Sequence, residues 1–92
     1  SDLVLTPRFS PDGKKILYLS YKSNAPKVYE MDVATGKSKL LGHFPGMSFA
    51  PRFSPDGEYA LMSIARKGVT HIHEINLKTK KLTQLTTGTS IN

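Results

Sequence analysis

Three groups of residues in this 92-residue sequence have the right types and spacing to do chemistry. His71 and His73 stand two apart, so on a strand both imidazoles project from one face and could begin a zinc site. No third ligand stands at useful spacing, and no metal site is assigned. Gly46-Met47-Ser48-Phe49-Ala50 mimics a nucleophile elbow with alanine in the last place. An elbow needs a strand before the serine and a helix after it, whereas Ser48 precedes a short run that reads as a strand. It is read as a loop residue. Four of the seven carboxylates form two pairs, Asp12 with Asp56 and Glu30 with Glu74, that recur at equivalent places in the chain. Carboxylates that share acid–base work need unlike environments, and recurrence at matching positions argues against that. No catalytic residue and no cofactor are expected.

The formal net charge of +6 and pI near 9.7 raise the question of nucleic acid. Lys14, Lys15, Lys37, Lys39, Lys78, Lys80 and Lys81 all fall on or beside tight turns. If those turns share one end of the fold, that end is strongly positive. No aromatic stacking platform or nucleic-acid reading motif accompanies the lysines, so they read as a solvated face and no nucleic-acid partner is expected. There are no cysteines, which removes disulfides and thiolate metal sites. No signal peptide is visible, and no apolar run approaches the roughly 20 residues of a membrane helix, so membrane insertion is not expected.

The element that must position these residues is a repeat. Pro7-Arg8-Phe9-Ser10-Pro11-Asp12-Gly13 returns as Pro51-Arg52-Phe53-Ser54-Pro55-Asp56-Gly57, 44 residues later, and the register holds to the end of the chain. In it His73 takes the place of Tyr29, and Ser48 that of Asn92. Glu30 matches Glu74, Thr35 matches Thr79, and Leu41 matches Leu85. A period near 44 with strand-like content reads as propeller blades, not helical repeats. Pro11-Asp12-Gly13 and Pro55-Asp56-Gly57 are read as turn formers. Proline presets φ, aspartate bonds nearby backbone, and glycine takes a left-handed conformation.

Each repeat is expected to hold four strands, at 7–10, 16–21, 27–33 and 38–41, then at 51–54, 60–65, 71–77 and 82–85, with residues 1–6 as a leading loop. The second strands are apolar on both faces, as sheets stacked face to face require. Arg8 and Arg52 recur on the inner strands and are candidates to line a channel. Lys80 stands where the first repeat has Gly36, so a turn that needs positive φ is strained in the second copy. The fold class is therefore all-β: two four-stranded antiparallel propeller blades, residues 1–50 and 51–92.

Pro-x-Phe-Ser-Pro-Asp-Gly, an apolar second strand, and Val28-Tyr29-Glu30-Met31-Asp32 followed by Thr35-Gly36-Lys37 resemble the WD-like propeller repeats of the TolB family. These are periplasmic propeller proteins of the Tol–Pal system. The resemblance covers the whole chain, and His43-Phe44-Pro45-Gly46 before Ala50-Pro51 is similar to the join between that family's first two blades. It implies a six-bladed propeller behind a separate N-terminal domain, a periplasmic location and a docking role without enzymatic activity. It also implies a partner, the peptidoglycan-associated lipoprotein, seated over one mouth of the channel. The family's contact positions lie in loops leading into the inner strands and match Met47, Ser48 and Ala50. By repeat position Leu3, Val4, Ile91 and Asn92 join the same rim. Propellers of prolyl-oligopeptidase-like peptidases carry similar blades, so a substrate-gating propeller is the alternative. A Gly-x-Ser-x-Gly hydrolase domain in the parent sequence would mark it.

Two blades alone leave two sheet faces unpartnered, with residues such as Phe9, Tyr18, Leu61, Met62 and Ile75 expected on them. Burial of apolar area is worth about 25 cal/mol per Å², so the sequence reads as part of a larger propeller or as a self-associating piece. Head-to-tail contacts close into rings or run on as fibres. A homotrimer of six blades is the expected assembly, with a tetramer of eight as the alternative.

Overall fold

The computed structural model describes residues 3–22, 25–47 and 51–87, the side chains of residues 3–6, 22 and 25 excepted. Eight strands form two four-stranded antiparallel sheets in simple sequential order, with no helix among the described residues. The first sheet holds β1 (Leu3–Phe9), β2 (Lys15–Lys22), β3 (Ala25–Asp32) and β4 (Ser38–His43). The second holds β5 (Arg52–Phe53), β6 (Tyr59–Arg66), β7 (Val69–Asn76) and β8 (Leu82–Gln84).

The two repeats fold alike because they share the same turns. Ser10 Oγ donates to Asp12 Oδ1 at 2.7 Å, the Lys14 amide donates to the same oxygen, and the Gly13 amide closes onto the Ser10 carbonyl. Ser54, Asp56, Glu58 and Gly57 repeat this bond for bond. The serine hydroxyl beside each aspartate, and then the amide two residues on, hold both carboxyls below their ordinary pKa. Gly13 and Gly57 take φ of 75° and 77°, which a side chain would resist. At the β3–β4 and β7–β8 turns Gly36 has φ of 74° and Lys80 has φ of 65°, so the second copy carries the expected strain.

Several boundaries differ from expectation: β3 begins at Ala25, β4 runs to His43 and β5 covers only Arg52–Phe53, and two further differences change a connection. Residues 3–6 are not a loop but the first half of β1, since Leu3, Val4 and Leu5 pair with Tyr21, Ser20 and Leu19. Pro7 marks a break inside the strand rather than its start: the register shifts between Leu5 and Arg8, where proline has no amide to give to the ladder. The connection between β6 and β7 is also tighter than a polar loop. Arg66 pairs with Val69, and only Lys67 and Gly68 turn, at φ of 51° and 79°.

The sheets stack face to face around one apolar core. Period two places Leu17 and Leu19 of β2 on one face with Val28 of β3, and this face meets Ala60, Met62 and Ile64 of β6 and Ile75 of β7. Ile64 is 1% exposed and Leu17 fully buried. Leu41 and Phe44 close one side of the core, and Leu77 and Phe53 close others. The two outward faces therefore hold Phe9, Ile16, Tyr18 and Tyr29 on the first sheet, and Leu61, Ser63 and Ile72 on the second. Met62 and Ile75, expected on an open face, lie between the sheets instead at 2% exposure each. Alternation shows which residues share a face, but not which face meets the sister sheet.

Candidate functional site

The segment after β4 carries the candidate rim. It is tied down by backbone bonds. The Phe44 amide donates to the Pro26 carbonyl and the Ala65 amide to the Gly46 carbonyl at 2.8 Å, while Met47 bridges Ile64 of β6. Gly46 has φ of 85°, and a methyl group there would run into the Ala65 carbonyl oxygen. Met47 is half-buried and packs on the core, with Pro45 and Gly46 exposed beside it. Ser48, Ala50, Ile91 and Asn92 lie outside the described residues. Leu3 and Val4 sit at the end of β1 that pairs with Tyr21 and Ser20, the same end of the first sheet as the β2–β3 connection.

Arg8 and Arg52 lie on the first strand of each sheet, opposite Leu17 and Leu61. Arg8 is half-exposed with its Nε unpartnered among the described residues, and Arg52 is exposed. The histidine pair is built into the second sheet. His73 is buried and its Nδ1 lies 3.3 Å from the His71 carbonyl, while His71 Nδ1 lies 2.9 Å from Thr86 Oγ1. Among the described residues no three His, Cys, Asp or Glu side chains gather as metal ligands.

At the opposite end, the β1–β2, β3–β4, β5–β6 and β7–β8 turns bring the lysines together, but acids are threaded among them. Lys15 pairs with Asp32 at 3.2 Å, and Asp12, Asp56, Glu58 and Glu30 share this end. The end is thus less one-sided than the lysines alone suggest. Lys15, and then the Thr35 amide, hold the Asp32 carboxyl below its ordinary pKa.

Glu30 has a structural role that spacing did not reveal. Glu30 is buried on the inner face of the first sheet and pairs with Lys39 at 3.4 Å. Lys39 Nζ also donates to the Leu77 carbonyl of the second sheet at 3.0 Å. The pair clasps the two sheets at the mouth of a cleft of about 520 Å³, which Lys15, Glu58 and Lys78 also line. Its signal in the sequence is a glutamate kept at a 44-residue interval among residues that change.

Two four-stranded antiparallel sheets of one repeat, stacked face to face with each chain passing in order from the first strand to the fourth, are blades of a β-propeller. The chain belongs to the TolB beta propeller domain family, whose model matches residues 1–92. Two curated relatives are each a "Tol-Pal system protein TolB". That of Pelagibacter ubique is 54% identical over 50 residues, covering 54% of this chain and 11% of its own length. That of Paramagnetospirillum magneticum is 55% identical over 49 residues, covering 53% and 11%. The crystal structure of TolB from Acinetobacter baumannii superposes with a TM-score of 0.83 at 34% identity, covering 99% of this chain and 23% of that one. An acylaminoacyl peptidase matches at 17% identity, with a TM-score of 0.78 over 89% of this chain and 17% of its own, a likeness of fold alone. The sequence thus spans about a tenth of the curated relatives it matches.

Proposed function

We propose that this chain supplies two blades of a non-enzymatic, periplasmic protein-docking propeller of the Tol–Pal type, and that copies of it associate head to tail into a closed ring. The observation that carries the docking reading is the 54% identity to a Tol-Pal system protein over 50 residues. The partner is the peptidoglycan-associated lipoprotein, and the docking surface is the rim that begins at Met47 and continues through Ser48 and Ala50, joined by Leu3, Val4, Ile91 and Asn92. A rim of this kind needs a fixed backbone under it, and the bonds of Gly46 and Met47 to β6 support that. In the closed ring Arg8 and Arg52 face the central channel. Six blades from three chains are proposed, with eight from four as the alternative.

Met47→Asp is expected to reduce saturable capture by the immobilised lipoprotein at least tenfold, because it places a charge on a half-buried apolar contact. Pro45→Glu, exposed in the same segment, is the companion variant that spares the core. Lys80→Glu, at the opposite end, should bind as the parent does. Equal losses for rim and opposite-end variants, with all of them folded by circular dichroism, would refute the rim.

A further inference from the structure

The outer faces of the two sheets are unlike each other in a way that matches them as a pair. In the 44-residue register, the second sheet's outer face is the counterpart of the first sheet's inner face, and the first sheet's outer face is the counterpart of the second sheet's inner face. The outer faces of two copies can therefore stack as the inner faces do within one chain. Side-chain bulk is redistributed between them. Ser63 and Ala65 replace the larger Leu19 and Tyr21 on one side, while Ile16, Tyr18 and Tyr29 replace Ala60, Met62 and His73 on the other. Ser20, in place of Ile64, and Ile72, in place of the smaller Val28, run the other way. Volume conserved across a contact is what close packing tolerates best.

Charge is redistributed as well. Inside one chain, Glu30 shares its cleft with Glu58 of the other sheet; Lys39 of its own sheet pairs with it, and Lys15 lines the same cleft. On the second sheet's outer face the counterpart is Glu74, but Lys39 has become Thr83 and Lys15 has become Tyr59, so its own sheet offers it no lysine there. Glu74 has no ion pair among the described residues. The residue that would stand across from it in a neighbouring copy, in the place of Glu58, is Lys14. The match is structural as well as positional: the Val33 amide donates to the Lys14 carbonyl as the Leu77 amide donates to that of Glu58.

Resting on the self-association proposed above, we infer that the second sheet of one copy docks on the first sheet of the next, and that Glu74 of one pairs with Lys14 of the other. The acid–base clasp inside the chain, both partners on one sheet, becomes at the seam a pair that spans two copies. Such a pair sets register and partner choice more than it sets affinity.

The test uses the 92-residue chain at graded concentrations in sedimentation velocity, as parent, Lys14→Glu, Glu74→Lys and the double charge swap. Each single reversal places like charges across the seam and should raise the dissociation midpoint about tenfold, with the double swap recovering most of the loss. The neutral Glu74→Gln should fall between. Raised salt should weaken the parent more than Glu74→Gln. An assembling parent whose midpoint ignores both reversals, or a double swap that behaves as the sum of two losses, overturns the seam but not the self-association. A folded parent that stays monomeric at every concentration overturns both.

Discussion

Replacing Gly46 by alanine should lower the melting temperature by about 10 °C or more, whereas alanine at Gly13 should cost about half that or less. Both glycines have positive φ, 85° and 75°, so each pays about 1–2 kcal/mol for a left-handed side chain. They differ in what the new methyl meets. At Gly13 nothing lies within 4 Å, while at Gly46 the methyl points into the Ala65 carbonyl oxygen, and backbone on both sides must move. That movement threatens the bond from the Ala65 amide to the Gly46 carbonyl, a further 1 kcal/mol or so. It also loosens the segment that ends at Met47. Thermal melts of both variants, run at one protein concentration, decide it. Equal melting points would mean that the segment is not fixed to β6.

The second large effect separates the inner face from the outer one. Ile64→Ala should cost about 2–5 kcal/mol of folding stability, because Ile64 is 1% exposed between the sheets and its neighbours come from both. Phe9→Ala removes a larger side chain, yet Phe9 is 64% exposed, so chemical denaturation of the dissociated chain should change by only about 0.5 kcal/mol. Its cost should appear in assembly. Phe53, its repeat counterpart, packs against the core, so one residue type at one repeat position has two roles. Comparable losses of folding stability for Ile64→Ala and Phe9→Ala would mean that the stacking order of the sheets is wrong.

Much of this architecture was legible because the repeat advertises itself. Seven residues from Pro7 to Gly13 returning at Pro51 to Gly57 set the period, and the Ser-Pro-Asp-Gly turns then set the strands. What stayed hidden depended on relations between sheets. The apolar second strands predicted that both faces pack, but Met62 and Ile75 gave no sign that theirs is the face covered by the sister sheet. Glu30 recurs visibly, yet its partner is Lys39, whose ammonium also donates to the Leu77 carbonyl 38 residues further on, a contact made only by stacking. The lysine-rich end was read from the lysines without the aspartates that the same turns require. Pro7 drew attention to a strand beginning, while the ladder of β2 continued past it to Leu3. Propensity and period are local, and these were tertiary facts.

The candidate site was less legible than the fold. The rim was placed by resemblance, and only its Met47 end has described geometry, where backbone bonds fix it against β6. The histidine pair and the elbow-like Gly46–Ala50 stretch were read as ordinary structure from their context. In the structure His73 is buried and Gly46 is bonded to β6.

The central claim is that two blades with two matched open faces complete themselves with further copies. Native mass spectrometry of the unmodified chain at micromolar concentration, from a buffer of low ionic strength, tests it most directly. Three chains, three times the 10.2 kDa mass, should dominate and should give way to single chains on dilution. A folded monomer that persists at every concentration, or a dimer, would contradict the closed ring.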